Sequence, residues 1–485
     1  MDKPQEDVTP KGVELHAFDD VGFWRSDILD KTKSALENVF PRDYSGIRLE
    51  LEDLEYQHPE VTPALEKQRR MERGKLFVPL KGTVTLRDAE SGELLDRVKN
   101  RTVMSVPYLT DRGTFIHGGS HYSSIRQARL LPGAYSRRRN NGELETHFNI
   151  KPGTGPSFRV VFEPESAVFR MNIAGSNLKL YPVLSAMGVS DDTMREAWGE
   201  RVFAANQTQV NPRDINKLYT KLYRWDADEE LDTATKSQQI RERLEKGVML
   251  RSVLRNTIGL TEQKRASNDL LARARRRAGL DPVDDDETDE LNLTTEDIMR
   301  GSRKLVAINR GEAEPDQRDS LFYKRVYSTG DLLAERIKID TGQAARSMMR
   351  KLAKRRNLKY LSPNFLTAYT EGHIVGNPLS TPSEETNPIL TNEQLFRITQ
   401  MGPGGIGSES AITEEMQNVS ASEFGFIDPL AGPESSRAGI DVRATYNSKL
   451  GSDGRIYQRF LNPRSGRHEW LSSRDLIGKT VSFGN

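Results

Sequence analysis

Three groups of residues in this chain are of types that bind ligands or do chemistry. The first is shaped backbone. Gly402-Pro403-Gly404-Gly405 is followed by a polar segment and then by Pro429-Leu430-Ala431-Gly432-Pro433-Glu434. Glycine permits φ > 0 and close backbone approach to a ligand, and proline fixes φ, so such punctuation makes loops of defined shape. Taken alone, it is turn chemistry. The second group is imidazole and carboxylate. His117-Gly-Gly-Ser-His121 offers two nitrogens, but it lacks the glutamate of a metalloprotease helix, and paired glycines oppose helix formation. Asp284-Asp285-Asp286 sits in DPVDDDETDEL, where a run of like charges is ordinarily a solvated linker rather than a metal cage. The third group is cationic. Arg126, Arg129 and Arg137-Arg138-Arg139 form one cluster; Arg346, Arg350, Lys351, Lys354, Arg355, Arg356 and Lys359 form another. Nucleic-acid phosphates are bound chiefly by such side chains, although a solvated basic face has the same composition.

Composition narrows the classes. The chain has 485 residues, enough for more than one domain, with 35% hydrophobic and 29% charged residues. Lys+Arg (71) and Asp+Glu (70) nearly cancel, so any nucleic-acid argument rests on local clusters rather than net charge. There is no cysteine, which excludes disulfides, thiolate zinc sites and cysteine nucleophiles. No apolar run approaches a membrane span, and the polar start MDKPQEDVTPKG lacks a signal-peptide core, so a cytosolic or nucleoid-associated protein is expected.

The positioning elements read as α+β and multidomain. Residues 1–20 are polar and expected to be loose. Phe23 to Phe40 has helical spacing, Arg48 to Tyr56 alternates as a strand, and Lys75 to Leu86 turns through Ala89–Glu93 into a hairpin. Met104 to Tyr135 predicts strand, tight turn, strand, then a helix or turn broken at Pro132-Gly133. Phe158 to Ile173 predicts a hairpin and Leu178 to Gly188 a helix. Residues 190 to 300 are helical in pattern and charged, with a linker near 279–292. Thr294-Thr295-Glu296-Asp297 predicts a helix start, and Asp331 to Leu361 a basic amphipathic helix with Leu332, Ile337, Ala344, Met348 and Leu352 inward. Beyond Ile440 the pattern is hairpins.

Several of these blocks, in this order, resemble the β subunit of bacterial-type multisubunit RNA polymerases. Asn387-Pro388, Arg397-Ile398-Thr399 and Gly402-Pro403-Gly404-Gly405 match the family's fork, and Pro429, Pro433-Glu434 and Gly439 match its second proline-glutamate turn. Pro107, Leu109, Thr110, Gly113, Thr114, Phe115, Ile116, Gly118, Gln127, Pro132, Gly133 and Tyr135 match an upstream block. The resemblance implies a flexible N-terminus (1–20), a protrusion-like part (21–118), a lobe-like domain (119–325), a protrusion return (326–380), a fork (381–445) and a truncated β-rich domain (446–485).

In function, the resemblance implies a subunit of a DNA-dependent RNA polymerase that walls the DNA/RNA cleft and is not catalytic alone. The fork residues would be Gln394, Arg397, Thr399, Gly402, Pro403, Gly404, Gly405, Pro433, Glu434 and Arg437. Asp319, Lys324 and Arg325 would lie by a pocket for a nontemplate-strand base, although Leu130 stands where the family has arginine. The triple-aspartate magnesium loop of these enzymes is missing from the sequence, so no cofactor is expected on this chain and Mg2+ is expected on a β′-like partner. Further expected partners are a C-terminal β-like subunit, template DNA, nascent RNA and, as an option, a σ-like promoter factor, with no membrane. The pattern suggests a split, bacteriophage-encoded subunit acting in the host bacterial cytoplasm, with virion packaging as a second location. Two other readings remain: a free-standing DNA-binding or virion protein built on such a fragment, and an independent metalloenzyme at Asp284 to Asp289.

Overall fold

The computed structural model describes residues 7–150, 157–173, 175–186, 189–207 and 295–482. It is α+β, with five sheets and several helices. The chain divides into two compact units: Met1–Arg129 with Asp319–Asn485, and Leu130–Arg318 inserted between them.

The first unit begins with β1 (Leu15–Ala17) and α1 (Val21–Val39), whose N-terminus is capped by Asp20 accepting from the Phe23 amide. β2 (Arg42–Tyr44), β3 (Ile47–Tyr56), α2 (Pro63–Met71), β4 (Phe77–Asp88) and β5 (Leu94–Pro107) follow, and β2 to β5 form an antiparallel sheet in sequence order. Then come β6 (Phe115–His117), β7 (Ser120–Ser124) and β8 (Arg126–Leu130).

The second unit has a five-stranded antiparallel meander of β9 (Gly133–Arg138), β10 (Leu144–Asn149), β11 (Phe158–Glu163), β12 (Val168–Ile173) and β13 (Ser176–Lys179). Helices α3 (Leu180–Ala186), α4 (Asp191–Trp198), α5 (Glu200–Asn206) and α6 (Thr295–Arg310) complete it. Alternation puts Leu144, Phe148, Phe158, Val160, Phe162, Phe169 and Met171 on one face, where they form a core with Trp198, Phe203, Ile298 and Leu305. Burying each such side chain contributes roughly 1.5–3 kcal/mol.

The chain then returns to the first unit through β14 (Lys324–Tyr327), α7 (Thr329–Arg355), α8 (Thr367–Ile374), β15 (Ser380–Pro382), α9 (Pro388–Glu393), β16 (Arg397–Thr399), β17 (Asp441–Arg443), β18 (Lys449–Gly451), β19 (Ile456–Asn462) and β20 (Arg467–Ser472). Helix α7 starts at a complete capping box made by Ser328 and Asp331. It packs along α1, burying Leu332, Leu333, Ile337 and Leu352.

Several expectations need correction. Residues 7–20 are not loose: β1 pairs antiparallel with β18, Val8 bridges to Glu469, and Phe18 is fully buried against Phe396. These partners lie hundreds of residues away, beyond the reach of any local pattern. The compact inserted unit starts at Leu130 and ends at Arg318 rather than at 119 and 325, because β7 and β8 pair with β15 and β16 of the first unit. The segment after Gln127 continues as strands β8 and β9, with a turn and no helix at Pro132-Gly133. The basic helix ends at Arg355, where Arg356 turns left-handed (φ 47°), and Leu358–Tyr360 is a separate 3-10 turn. The sheet after residue 446 takes β1 as an edge strand, so it is built from both ends of the sequence. The 279–292 linker, the helical pattern over 208–294, Asp284 to Asp289 and Met187-Gly188 lie outside the described residues, as do the side chains of Ala344 and Arg346.

Candidate nucleic-acid interface

The two blocks singled out in the sequence meet in one sheet. Its order is β14-β8-β16-β17. Strand β16 runs parallel to β8, with Ile398 opposite Arg126 and Thr399 opposite Gln127, and antiparallel to β17, with Thr399 opposite Asp441. The Gly402–Gly405 turn leaves this sheet directly, closed by Gly402 N–H to Ile406 O (3.0 Å) and Ile406 N–H to Gln400 O (2.9 Å).

The turn rests on β8. Gln127, wholly buried, donates its side-chain amide to Met401 O at 2.7 Å and accepts from Arg129 Nε at 2.6 Å. Gly404 (φ +77°) lies so close to Arg129 that an added Cβ would be 2.7 Å from its guanidinium carbon, and a Cβ on Gly405 would collide with the Gln400 carbonyl. Glycine at both places is therefore a packing requirement. Pro403, Gly404 and Gly405 are exposed at the tip.

The second turn is tied to the first through Gln400. Its N–H donates to Ile440 O (3.0 Å) and its side-chain amide to Gly439 O (3.0 Å). Pro433 is half-buried and Glu434 exposed. Arg437 is also exposed, but its guanidinium is held by Glu409 (2.8 Å) and Asp441 (3.6 Å). Gln394 accepts hydrogen bonds from Ser123 and Ser383, and the Thr399 hydroxyl donates to Asp441 while accepting from Met401 N–H. Arg397 differs from all of these. It is half-buried on β16, and its guanidinium has no hydrogen-bond or ion-pair partner among the described residues. An arginine held in position by its strand and left without a carboxylate is free to meet an external anion.

The cationic cluster expected around Arg126 and Arg129 is not a surface patch. Arg126 is buried between the Phe18 and Trp24 rings (5.0 and 4.6 Å) and donates to the carbonyls of Leu395 and Phe18, and burial pushes it down to about 10. Arg129 is 5% exposed, bound to Glu335 at 2.5 Å beneath Tyr327. Sequence alone cannot see partners that lie some two hundred residues away. Gln127, Gln400 and Asp441 organise the site without having been assigned roles there. The one local signal was β8 itself, buried at four successive positions despite its polar letters.

The three residues expected at a base pocket are split in character. Asp319 is half-buried, Lys324 is buried beside Glu423, and Arg325 lies over the Tyr327 ring at 5.3 Å. Burial raises the Glu423 carboxyl and the Lys324 charge opposes that rise. The imidazoles are likewise internal: His117 bonds Glu371 (2.9 Å) and His121 bonds Thr114 (2.7 Å). Among the described residues, no three His, Asp or Glu side chains converge in a group that could hold a metal.

No protein-family profile matches this chain. Individual curated proteins do. It is 25% identical over 450 residues to the DNA-directed RNA polymerase subunit beta of Synechococcus elongatus, covering 89% of this chain and 38% of that one. The chain is similar to polymerase β subunits. The corresponding proteins of Gloeobacter violaceus (23% over 434 residues, 88% of this chain and 37% of the relative) and Syntrophomonas wolfei (24% over 422 residues, 84% and 36%) give the same match. This β-like chain spans little more than a third of the length of those relatives. None of its described helices is long and apolar enough to cross a membrane.

Proposed function

We propose that the chain is a β-like subunit of a DNA-dependent RNA polymerase, forming one wall of the nucleic-acid cleft and the fork beside the active site. The observation that carries this is the parallel pairing of β8 with β16, which brings two blocks resembling the family, far apart in sequence, into one sheet under the Gly402–Gly405 turn. Arg397 supplies the anion contact. Gln394, Thr399, Gly402, Pro403, Gly404 and Gly405 shape the wall, with Pro433, Glu434 and Arg437 on the second turn. Asp319, Lys324 and Arg325 are the candidates at a nontemplate-strand pocket. Nucleotidyl transfer would use Mg2+ carried by a β′-like partner, and a C-terminal β-like chain, template DNA, nascent RNA and a σ-like factor would complete the assembly. A split gene of bacteriophage origin, acting in the host cytoplasm or carried in the virion, fits the same reading.

Affinity purification from the producing cell tests it. Co-purification of β′-like chains, with RNA synthesis by the complex and none by this chain alone, is expected. DNA binding without any such partner would instead favour a free-standing DNA-binding or virion protein.

A further inference from the structure

The sheet β1-β18-β19-β20 buries one side and leaves the other open. Directly opposed residues share a face, as does every second residue along a strand. Register therefore puts Lys449, Tyr457, Arg459, Leu461, His468 and Trp470 together on one face. The reverse face carries Leu450, Ile456 and Phe460 into the core of the first unit. A cleft of about 740 Å³ lies over the open face, lined also by Asp7, Tyr446 and Asn447. That volume is within the roughly 300–1,000 Å³ of clefts that hold a ligand.

The cleft presents apolar surface. Leu461 is 58% exposed and Tyr446 is 74% exposed. The Tyr446 ring is backed by Phe396, with centroids 5.7 Å apart, so it is offered on a packed base. Exposed apolar side chains gathered at one cleft mark an interaction site, whereas scattered ones do not.

Charge on the same face is unbalanced. Asp7 is already engaged, with Arg459 at 2.8 Å and Trp470 Nε1 donating to it at 3.3 Å. Lys449 Nζ lies 4.5 Å above the Trp470 ring and has no carboxylate partner among the described residues. At the turn between β19 and β20, Arg464 and Arg467 are exposed and equally without an acidic partner among the described residues. Glu469 belongs to the reverse face, where Asn462 donates to it at 2.7 Å.

These features select the occupant. A sugar-phosphate chain has no apolar group to set against an exposed leucine. The face of Trp470, where a base would stack, is covered by Lys449. A polypeptide supplies both halves, an apolar side chain for Leu461 and Tyr446 and a carboxylate for Lys449. We propose that this sheet face docks an acidic and apolar segment of a partner protein, with the apolar side chain on Leu461 and Tyr446 and a neighbouring carboxylate on Lys449. This goes beyond the nucleic-acid interface and assigns a protein-docking surface to a different sheet.

The test pans the full-length chain against random dodecapeptides displayed on phage, with Lys449→Glu and Leu461→Ser panned in parallel. The parent should enrich peptides combining Asp or Glu with Leu, Phe or Trp, and neither variant should enrich them. In anisotropy titrations with one enriched peptide, Lys449→Glu should weaken binding at least roughly tenfold and Lys449→Arg should keep it. Lys67→Glu, the same charge change on exposed α2, should leave it unaltered. Thermal melting checks that each variant is folded, and Tyr446→Ser is a further probe of the same cleft. Enrichment of the same peptides by parent and variants, of basic peptides, or of none overturns the proposal. So does single-stranded DNA displacing the peptide as well as unlabelled peptide does, which would assign the face to nucleic acid. The readout is peptide binding by the chain alone, so its failure leaves the subunit reading standing, and the reverse holds too.

Discussion

Gln127 and Met401 are joined by a side-chain amide to backbone carbonyl hydrogen bond of 2.7 Å across 274 positions of sequence. Through this bond the buried strand β8 holds the turn that β16 launches, and the geometry of Gly402–Gly405 depends on it.

The turn should therefore tolerate no side chain at its inner corner. Gly405→Ala is expected to lose on the order of 2 kcal/mol of stability as Gln400 is displaced. Gly432→Ala, where an added Cβ meets nothing within 4 Å, should change the melting temperature little. Thermal unfolding of the two variants side by side checks this, and equal effects would contradict it.

Arg126 is structural. Arg126→Met keeps bulk but leaves the Leu395 and Phe18 carbonyls without their donor, at a cost of about 3 kcal/mol. Denaturant titration should show the loss. A variant as stable as the parent would mean that the guanidinium contributes only bulk.

Arg397 should behave in the opposite way. With no partner among the described residues, Arg397→Ala should change stability by less than about 0.5 kcal/mol, yet reduce RNA synthesis by the assembled complex at least roughly tenfold. Transcription assays paired with melting curves separate the two effects. Loss of stability in step with activity would reassign Arg397 to packing.

Acid should weaken the first unit through His373. The ring is 3% exposed, Asn377 lies 3.0 Å from Nδ1, and burial, reinforced by nearby Arg336, holds the imidazole down to about 4. The folded state thus binds the proton less readily than the unfolded chain, whose histidine titrates near about 6.5. The contribution is complete above that value and is lost as pH falls through about 4, a span of about 3 kcal/mol. Stability measured from pH 7 to 4 should fall less in His373→Gln than in the parent. Parallel curves would show that other groups carry the acid response.

What was legible in the sequence was local. The Lys75–Leu86 hairpin, the helix after Asp20 and the meander around Phe158–Ile173 are written in periodicity and turn residues, and they formed where expected. The fork turn was legible because glycine and proline punctuate it. Arg126 and Arg129 were misread because arginine in a strand looks the same whether it faces water or the distant Glu335 and Phe18. Nor does the local sequence show that Arg437, expected at the fork, is held by Glu409, 28 positions away. The N-terminal strand escaped for the same reason, since three residues with no alternation of their own gain their structure from β18.

That strand has a consequence for synthesis on the ribosome. Glu14 is bonded to Ser452, 438 positions later, so the first unit cannot close until that distant segment has been translated. The inserted meander, whose contacts are nearer neighbours, is complete long before. The nascent protein must therefore carry an unpaired β1 until β18 has been made, exposed to chaperones and to mispairing in the interval.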